Sequence, residues 1–174
     1  MKFLLKKGKH NPIPYKFKFY AFSSNFNWLV KFNKECWYEK SDIKYTGYNK
    51  LRGVTFGIHA EKPFGKWFLT KWLVNSALIG WQPCFDDPYK KKINLCLYYD
   101  VNGVEHRELF KMVEVEEEFN IKYIIQKNGV IIKINDEKSF YIMPTKTWLR
   151  FGYHLCPYFG GRSISPCDMV IDIK

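Results

Sequence analysis

Few residues in this 174-residue chain could do acid and base chemistry. Glu114, Glu116 and Glu118 in EVEEEF alternate, so on a strand they would share one face. Two carboxyl groups about 5 to 5.5 Å apart over a common groove are what retaining cleavage of a glycosidic bond requires. Glu117 interrupts the run with a further charge, and Lys111 and Asn120 flank it, so the stretch reads as the solvated end of a strand. The four histidines, His10, His59, His106 and His154, are scattered. His59 and His154 fall at strand positions, where a lone imidazole is more often a hydrogen-bonded structural group than a ligand. No His-x-His pair or carboxylate-rich loop offers a metal its several ligands, and Asp86-Asp87 before Pro88 reads as a turn. No Ser/His/Asp or Cys/His arrangement is readable, and no glycine loop opens a helix to hold phosphate. No catalytic set, metal or cofactor is therefore expected.

Surfaces remain. Trp37, Tyr38, Trp67 and Trp72 are candidate contacts for a glycan or a protein partner, with Arg162 and Ser163 at a loop tip. The same rings, Trp81 among them, are what a sheet core consumes, and most are expected inside. Lys6, Lys7, Lys9, Lys16 and Lys18 form a candidate basic docking face. Lysines interleaved with aromatics in YKFKFYAF, residues 15–22, would suit single-stranded nucleic acid. That alternation is also the plain solvent and core pattern of a strand, so nucleic acid is not the expected partner.

The charge is uneven. Residues 1–75 hold 15 Lys/Arg against 4 Asp/Glu, and residues 76–174 hold 13 of each, so the net +11 lies entirely in the first part. A basic half suits an acidic partner surface. The 24 Lys to 4 Arg, with many Ile, Asn and Tyr, are what A/T-rich codons produce, as in some bacteria and phages. Five cysteines (Cys36, Cys84, Cys96, Cys156, Cys167) leave one over and contain no CxxC. Neither a disulfide framework nor a zinc site is expected, and a reducing interior fits. At the start, only Phe3 to Leu5 is apolar, far short of a signal peptide. No stretch approaches the roughly 18 apolar residues of a membrane span.

These residues must be positioned by strands. Aromatics make up 19% of the chain, and flat rings pack well on a pleated face. Residues 15–22, 26–32, 53–58, 75–81 and 93–101 read as strands, and residues 121–136 as a hairpin. Asn102-Gly103 and Asn128-Gly129 supply the positive φ that tight hairpins need. Residues 148–158 and 168–173 give the last two strands, and residues 34–50 read as a long loop. No segment sustains an apolar 3.6 period. About ten to twelve short strands in one domain, residues 1–174 with 1–14 as an extended N-terminal arm, predict an all-β antiparallel sandwich or barrel.

The stretch around PYFGGRSISP sharpens this expectation. Gly152, Tyr153, Leu155, Pro157, Tyr158, Phe159, Gly160 and Gly161, then Pro166, Asp168 and Met169, resemble the closing strands of concanavalin-A-like jelly-roll sandwiches. The resemblance is to the lectin and glucanase type, especially small stand-alone versions from gut Bacteroidales and their tailed, crAss-like phages. Asn75-Ser76 with Ile79-Gly80-Trp81, and Tyr98, Tyr99, Asn102 and Gly103 within residues 93–103, match two further phrases of that family. The likeness covers residues 75–174.

It implies a single jelly-roll domain and leaves function open, since this sandwich hosts lectins, lyases, glucanases and structural parts. Its glucanases carry E-[ILV]-D-x-x-E, and here Glu117 stands where that pattern wants an apolar residue. Its alginate-type lyases carry Q-[IV]-H and Y-F-K-A-G-x-Y; neither Gln82 nor Gln126 sits in such a phrase, and Gly160-Gly161 replace the second. Two glycines there suit a positive φ or a close backbone approach. The expectation is thus a non-enzymatic accessory or structural protein of a phage particle. It would dock through its basic half onto capsid or tail proteins, and be assembled in the bacterial host cytoplasm and carried in the virion. The alternative is a carbohydrate-binding module for host or dietary glycans, and a third reading is a glycan-cleaving lyase or hydrolase.

Overall fold

The computed structural model describes residues 1–15, 18–21, 25–45, 47–55, 76–86, 89, 91–101, 104–126, 129–142, 151–160 and 163–174; side chains 18, 20, 21, 138–142 and 151 are not described. Thirteen strands run through the described residues. They are β1 (Lys2–Leu5), β2 (Pro12–Ile13), β3 (Lys18–Ala21), β4 (Asn25–Phe32), β5 (Asn49–Thr55), β6 (Ser76–Pro83) and β7 (Lys92–Val101). There follow β8 (Val104–Glu114), β9 (Glu118–Gln126), β10 (Gly129–Ile134), β11 (Lys138–Ile142), β12 (Phe151–Leu155) and β13 (Met169–Ile173).

They form two sheets, a seven-stranded one in the order β11-β10-β9-β4-β13-β1-β2 and a six-stranded one in the order β3-β12-β5-β6-β7-β8. The pairings are antiparallel. The expected jelly-roll sandwich is what the chain adopts.

Sequence period explains which faces meet. In β9, Phe119, Ile121, Tyr123 and Ile125 are buried in strict alternation with more exposed residues, which is the pattern of a strand with one wet face. The two sheets are joined at an aromatic knot. Phe32 of β4 lies 5.1 Å from Trp81 of β6 and 5.7 Å from Phe119 of β9, and Trp81 and Phe159 meet edge to face. Apolar area removed from water at these rings holds the sheets together.

Residues 1–14, expected as an arm, are extended but not free. Phe3 and Leu5 are buried, and β1 pairs with β13 and carries β2 on its other edge. Alternating burial of Phe3 and Leu5 draws the segment into the sheet. Of residues 34–50, expected as a long loop, Asn49 and Lys50 open β5 instead, and the described residues before them are irregular, with two short 3-10 turns at Lys34–Cys36 and Lys40–Asp42. Around the Asn-Gly pairs, Val101 lies opposite Val104 and Gln126 opposite Gly129. Asn102, Gly103 and Asn128 themselves are outside the described residues. The five cysteines are thiols, not disulfides, with Cys36, Cys84 and Cys96 buried.

Candidate functional site

The six-stranded sheet sends Ile79, Trp81, Leu95 and Leu97 into the core, so the alternate residues of its strands face outward. Cross-strand register sorts them into rows. Lys50, Gly80, Cys96 and Leu109 lie in one row, Leu78, Tyr98 and Arg107 in the next, and Ser76, Asp100 and Glu105 in a third. Tyr158 extends the first row, because it bridges Lys50 with both backbone hydrogen bonds at 2.8 Å.

Charged and aromatic groups from three strands, β5, β7 and β8, meet here with Tyr158 and His10. The Lys50 ammonium lies 5.7 Å from the centroid of the Tyr98 ring and 5.9 Å from that of Tyr158, while the Arg107 guanidinium lies 5.2 Å from Tyr98. His10 stacks on Tyr158 at 5.4 Å. Glu105 is ion-paired to Arg107 at 2.6 Å and accepts a hydrogen bond from the Tyr98 hydroxyl. Asp100, nearly buried, accepts a hydrogen bond from Ser76 Oγ at 3.0 Å. Lys50 makes no ion pair among the described residues.

The electrostatics follow from partial burial. Loss of water lowers the Lys50 pKa, against the pull of Asp100 and Glu105. Burial raises the Asp100 carboxyl above the usual carboxylate range; the Ser76 hydrogen bond opposes this and the Glu105 charge adds to it. Burial and the hydrogen bond to Glu105 push the Tyr98 phenol up to about 12. The arrangement therefore combines cations on ring faces with a carboxyl group whose pKa is raised by burial.

A polar clamp fixes one end of the site. Asn49, beside Lys50, donates from Nδ2 to the Tyr38 hydroxyl and accepts from the Gly160 N–H, both at 3.0 Å. A Cβ on Gly160 would stand 2.6 Å from the Tyr48 carbonyl oxygen. The glycine is there for close backbone approach, one of the two reasons open from its sequence; Gly161 lies outside the described residues. A Cβ on Gly80 would meet that of Tyr48 at 3.0 Å.

The contacts expected from sequence are distributed otherwise. Tyr38 and Ser163, expected at a contact surface, are buried: Tyr38 packs against Trp81, Phe85 and Phe159. Ser163 Oγ both donates to the Tyr45 carbonyl and accepts from its N–H, at 2.9 Å each. Burial of these groups follows from rings and hydroxyls finding internal partners. Trp37 is partly buried against the core. Trp67, Trp72, Arg162 and Lys16 lie outside the described residues, and of Lys18 only the backbone is described. Lys6, Lys7 and Lys9 are exposed on the β1–β2 connection of the seven-stranded sheet, whereas Lys18 is on β3 of the other.

Glu114, Glu116 and Glu118 do not share a strand face. Glu114 ends β8, Glu118 opens β9, and Glu116 sits between them with a φ of 66°, ion-paired to Lys31 at 2.7 Å. Sequence reasoning missed Lys50, Asp100, Glu105 and Arg107. A signal was present for two of them: in DVNGVE a two-residue turn puts Asp100 directly opposite Glu105.

No protein-family model matches this sequence, and no curated protein matches it. Among solved structures it superposes on alginate lyases. The marine polysaccharide lyase family 7 enzyme AlyA1 of Zobellia galactanivorans gives a TM-score of 0.53 at 11% identity, over 90% of this chain and 62% of that one. Alginate lyase A1-II', of the same lyase family, gives 0.51 at 7% identity, over 88% and 61%. The alginate lyase of Alteromonas sp. 272 gives 0.52 at 10% identity, over 100% and 85%. The chain thus spans about three fifths of the length of the first two. The likeness is one of fold, the concanavalin-like sandwich.

One expectation is corrected by these likenesses. The chain was expected not to be an enzyme, yet the alginate lyases on which it superposes are enzymes. The missing lyase and glucanase phrases test only acids and bases set along one strand. Here carboxyl groups and cations are gathered across β5, β7 and β8, where no linear phrase records them. The virion role finds no support in these likenesses; the glycan alternative fares better.

Proposed function

We propose that this protein engages a polysaccharide across the outer face of the six-stranded sheet. One observation carries the reading: Lys50 lies between the rings of Tyr98 and Tyr158, with Arg107 over Tyr98. Ring faces suit the C–H faces of sugars, and cations beside them suit carboxylate or hydroxyl oxygens. Lys50 is free of any ion pair among the described residues, so its charge is available to a ligand. Exposed Leu109 and Met112 of β8 extend the face with apolar surface. Alginate, the substrate named for the superposed lyases, is the first ligand to try.

Affinity electrophoresis or calorimetry with alginate and with a neutral β-glucan tests the proposal. Retardation or heat with either polymer, weakened about tenfold or more by Tyr98→Ala and by Lys50→Ala with melting unchanged, is the expected result. Wild-type protein that binds neither polymer, nor any other on a broad panel, would refute it.

A further inference from the structure

The strand that ends the six-stranded sheet has an open side. β8 pairs with β7 and stands last in the sheet order, so among the described residues no strand pairs with its other edge. Residues 104–109 are exposed without a break. An unpaired edge is a row of N–H and C=O groups ready to extend the sheet, and edges guarded against this carry prolines or lysines. This segment reads VEHREL, with no proline or lysine and with charges of both signs, Glu105 and Glu108 against Arg107.

A bulge limits what can pair. Leu95 lies opposite Lys111 and Cys96 opposite Leu109, so Phe110 is an extra residue, buried in the core. A bulge interrupts the ladder, which leaves residues 104–109 as the straight segment. Self-complementarity then selects the partner. Where two β8 strands pair antiparallel about a two-fold axis, with the outer faces running on as one, one residue lies opposite itself and its neighbours lie opposite each other. An axis at Glu105, Arg107 or Glu108 sets like charges directly opposite, which destabilises. An axis at Val104 or Leu109 leaves almost no straight ladder. An axis at His106 sets Glu105 opposite Arg107 of the second copy, twice, and Val104 opposite Glu108.

We infer that β8 is the contact of a symmetric dimer of this chain, formed by antiparallel pairing of residues 104–108 about His106. The two six-stranded sheets join into one. Glu105 and Arg107, ion-paired at 2.6 Å within each chain, meet across the axis as a ring of alternating charges. The contact is short and polar, so the association is weak and reversible. On the reading of this face as a polysaccharide site, the dimer sets two copies of the Lys50 and Tyr98 cluster on one surface, where a single long polymer gains by engaging both. The dimer itself does not depend on that reading.

Sedimentation of the whole protein without sugar, from about 10 μM to about 1 mM, measures the association. The expected mass rises with concentration toward that of two chains. Glu105→Arg and Arg107→Glu each set like charges opposite and should weaken the dimer about tenfold or more, while the two changes together should restore it to within about threefold. Thermal melts check that each variant folds. His106→Cys puts a thiol on the axis, where opposed Cα atoms about 4.5 to 5.5 Å apart suit a disulfide. Mild oxidation should link two chains through it, as non-reducing peptide mapping reports, and Glu108→Cys should link far less. If the charge variants do not fold, the cysteine variants decide. A mass of one chain at every concentration would overturn the inference and leave the edge to a strand of another protein. A dimer untouched by the single swaps, a double variant no better than the singles, or equal linking at position 108 would also overturn it. Absence of sugar binding, measured separately, would overturn the polysaccharide reading and leave the dimer standing.

Discussion

Replacing Asn49 by alanine should loosen the clamp that sets Lys50 against Tyr158. Asn49 is 1% exposed, so water does not stand in for it. The change removes the bond to the Tyr38 hydroxyl and leaves the Gly160 N–H without its acceptor. A stranded buried donor costs about 1 to 3 kcal/mol, and the second lost bond about 1 kcal/mol more. Together these make a destabilisation of about 2 to 4 kcal/mol. For a chain of this size that lowers Tm by on the order of 10 °C. Urea and thermal unfolding measure it. A double-mutant cycle with Tyr38→Phe isolates the side-chain pair and should show a coupling of about 1 kcal/mol. A loss below about 0.5 kcal/mol, or a strictly additive cycle, would show that the clamp contributes nothing and refute the reasoning.

Other perturbations read different parts of the structure. Gly160→Ala forces a Cβ to within 2.6 Å of the Tyr48 carbonyl and should cost about 1 to 3 kcal/mol by denaturant unfolding. Trp81→Ala, at the centre of the aromatic knot, should cost about 3 to 5 kcal/mol; a near-neutral result would mean the sheets are held elsewhere. Because the folded-state pKa of Asp100 is raised, its contribution to stability is fully present below the unfolded aspartate pKa and is lost as pH rises through the folded value. Asp100→Asn should therefore gain stability relative to wild type as pH rises above about 4, as melts at a series of pH values would report. In thiol titration of the native protein, Cys156 and Cys167, partly exposed, should react before Cys36, Cys84 and Cys96, which are buried. Burial also raises the Cys36 pKa, and fast labelling of Cys36 would contradict its placement.

Much of the scaffold was legible because sheet structure is written locally. The alternation in residues 119–125 marked β9, and MVIDI marked β13 as a strand with one buried face. The pairing of residues 2–5 was not legible because Phe3 and Leu5 are a short apolar signal whose partner, β13, lies more than 160 residues away in sequence. Tyr38, one of the aromatic contact candidates, was misplaced for a related reason. Composition counts rings but does not say which face of a strand or loop meets the core, and Tyr38 met it.

The sequence by itself determined an antiparallel all-β sandwich and its charge asymmetry. Period two and turn chemistry act between near neighbours, so they can be read along the chain. Only the tertiary structure decided that Lys50, Ser76, Tyr98, Arg107 and Tyr158 converge on one face. Their neighbourhood is set by strand order and register between segments distant in sequence. The altered ionisation of Lys50, Tyr98 and Asp100 follows from the burial that results.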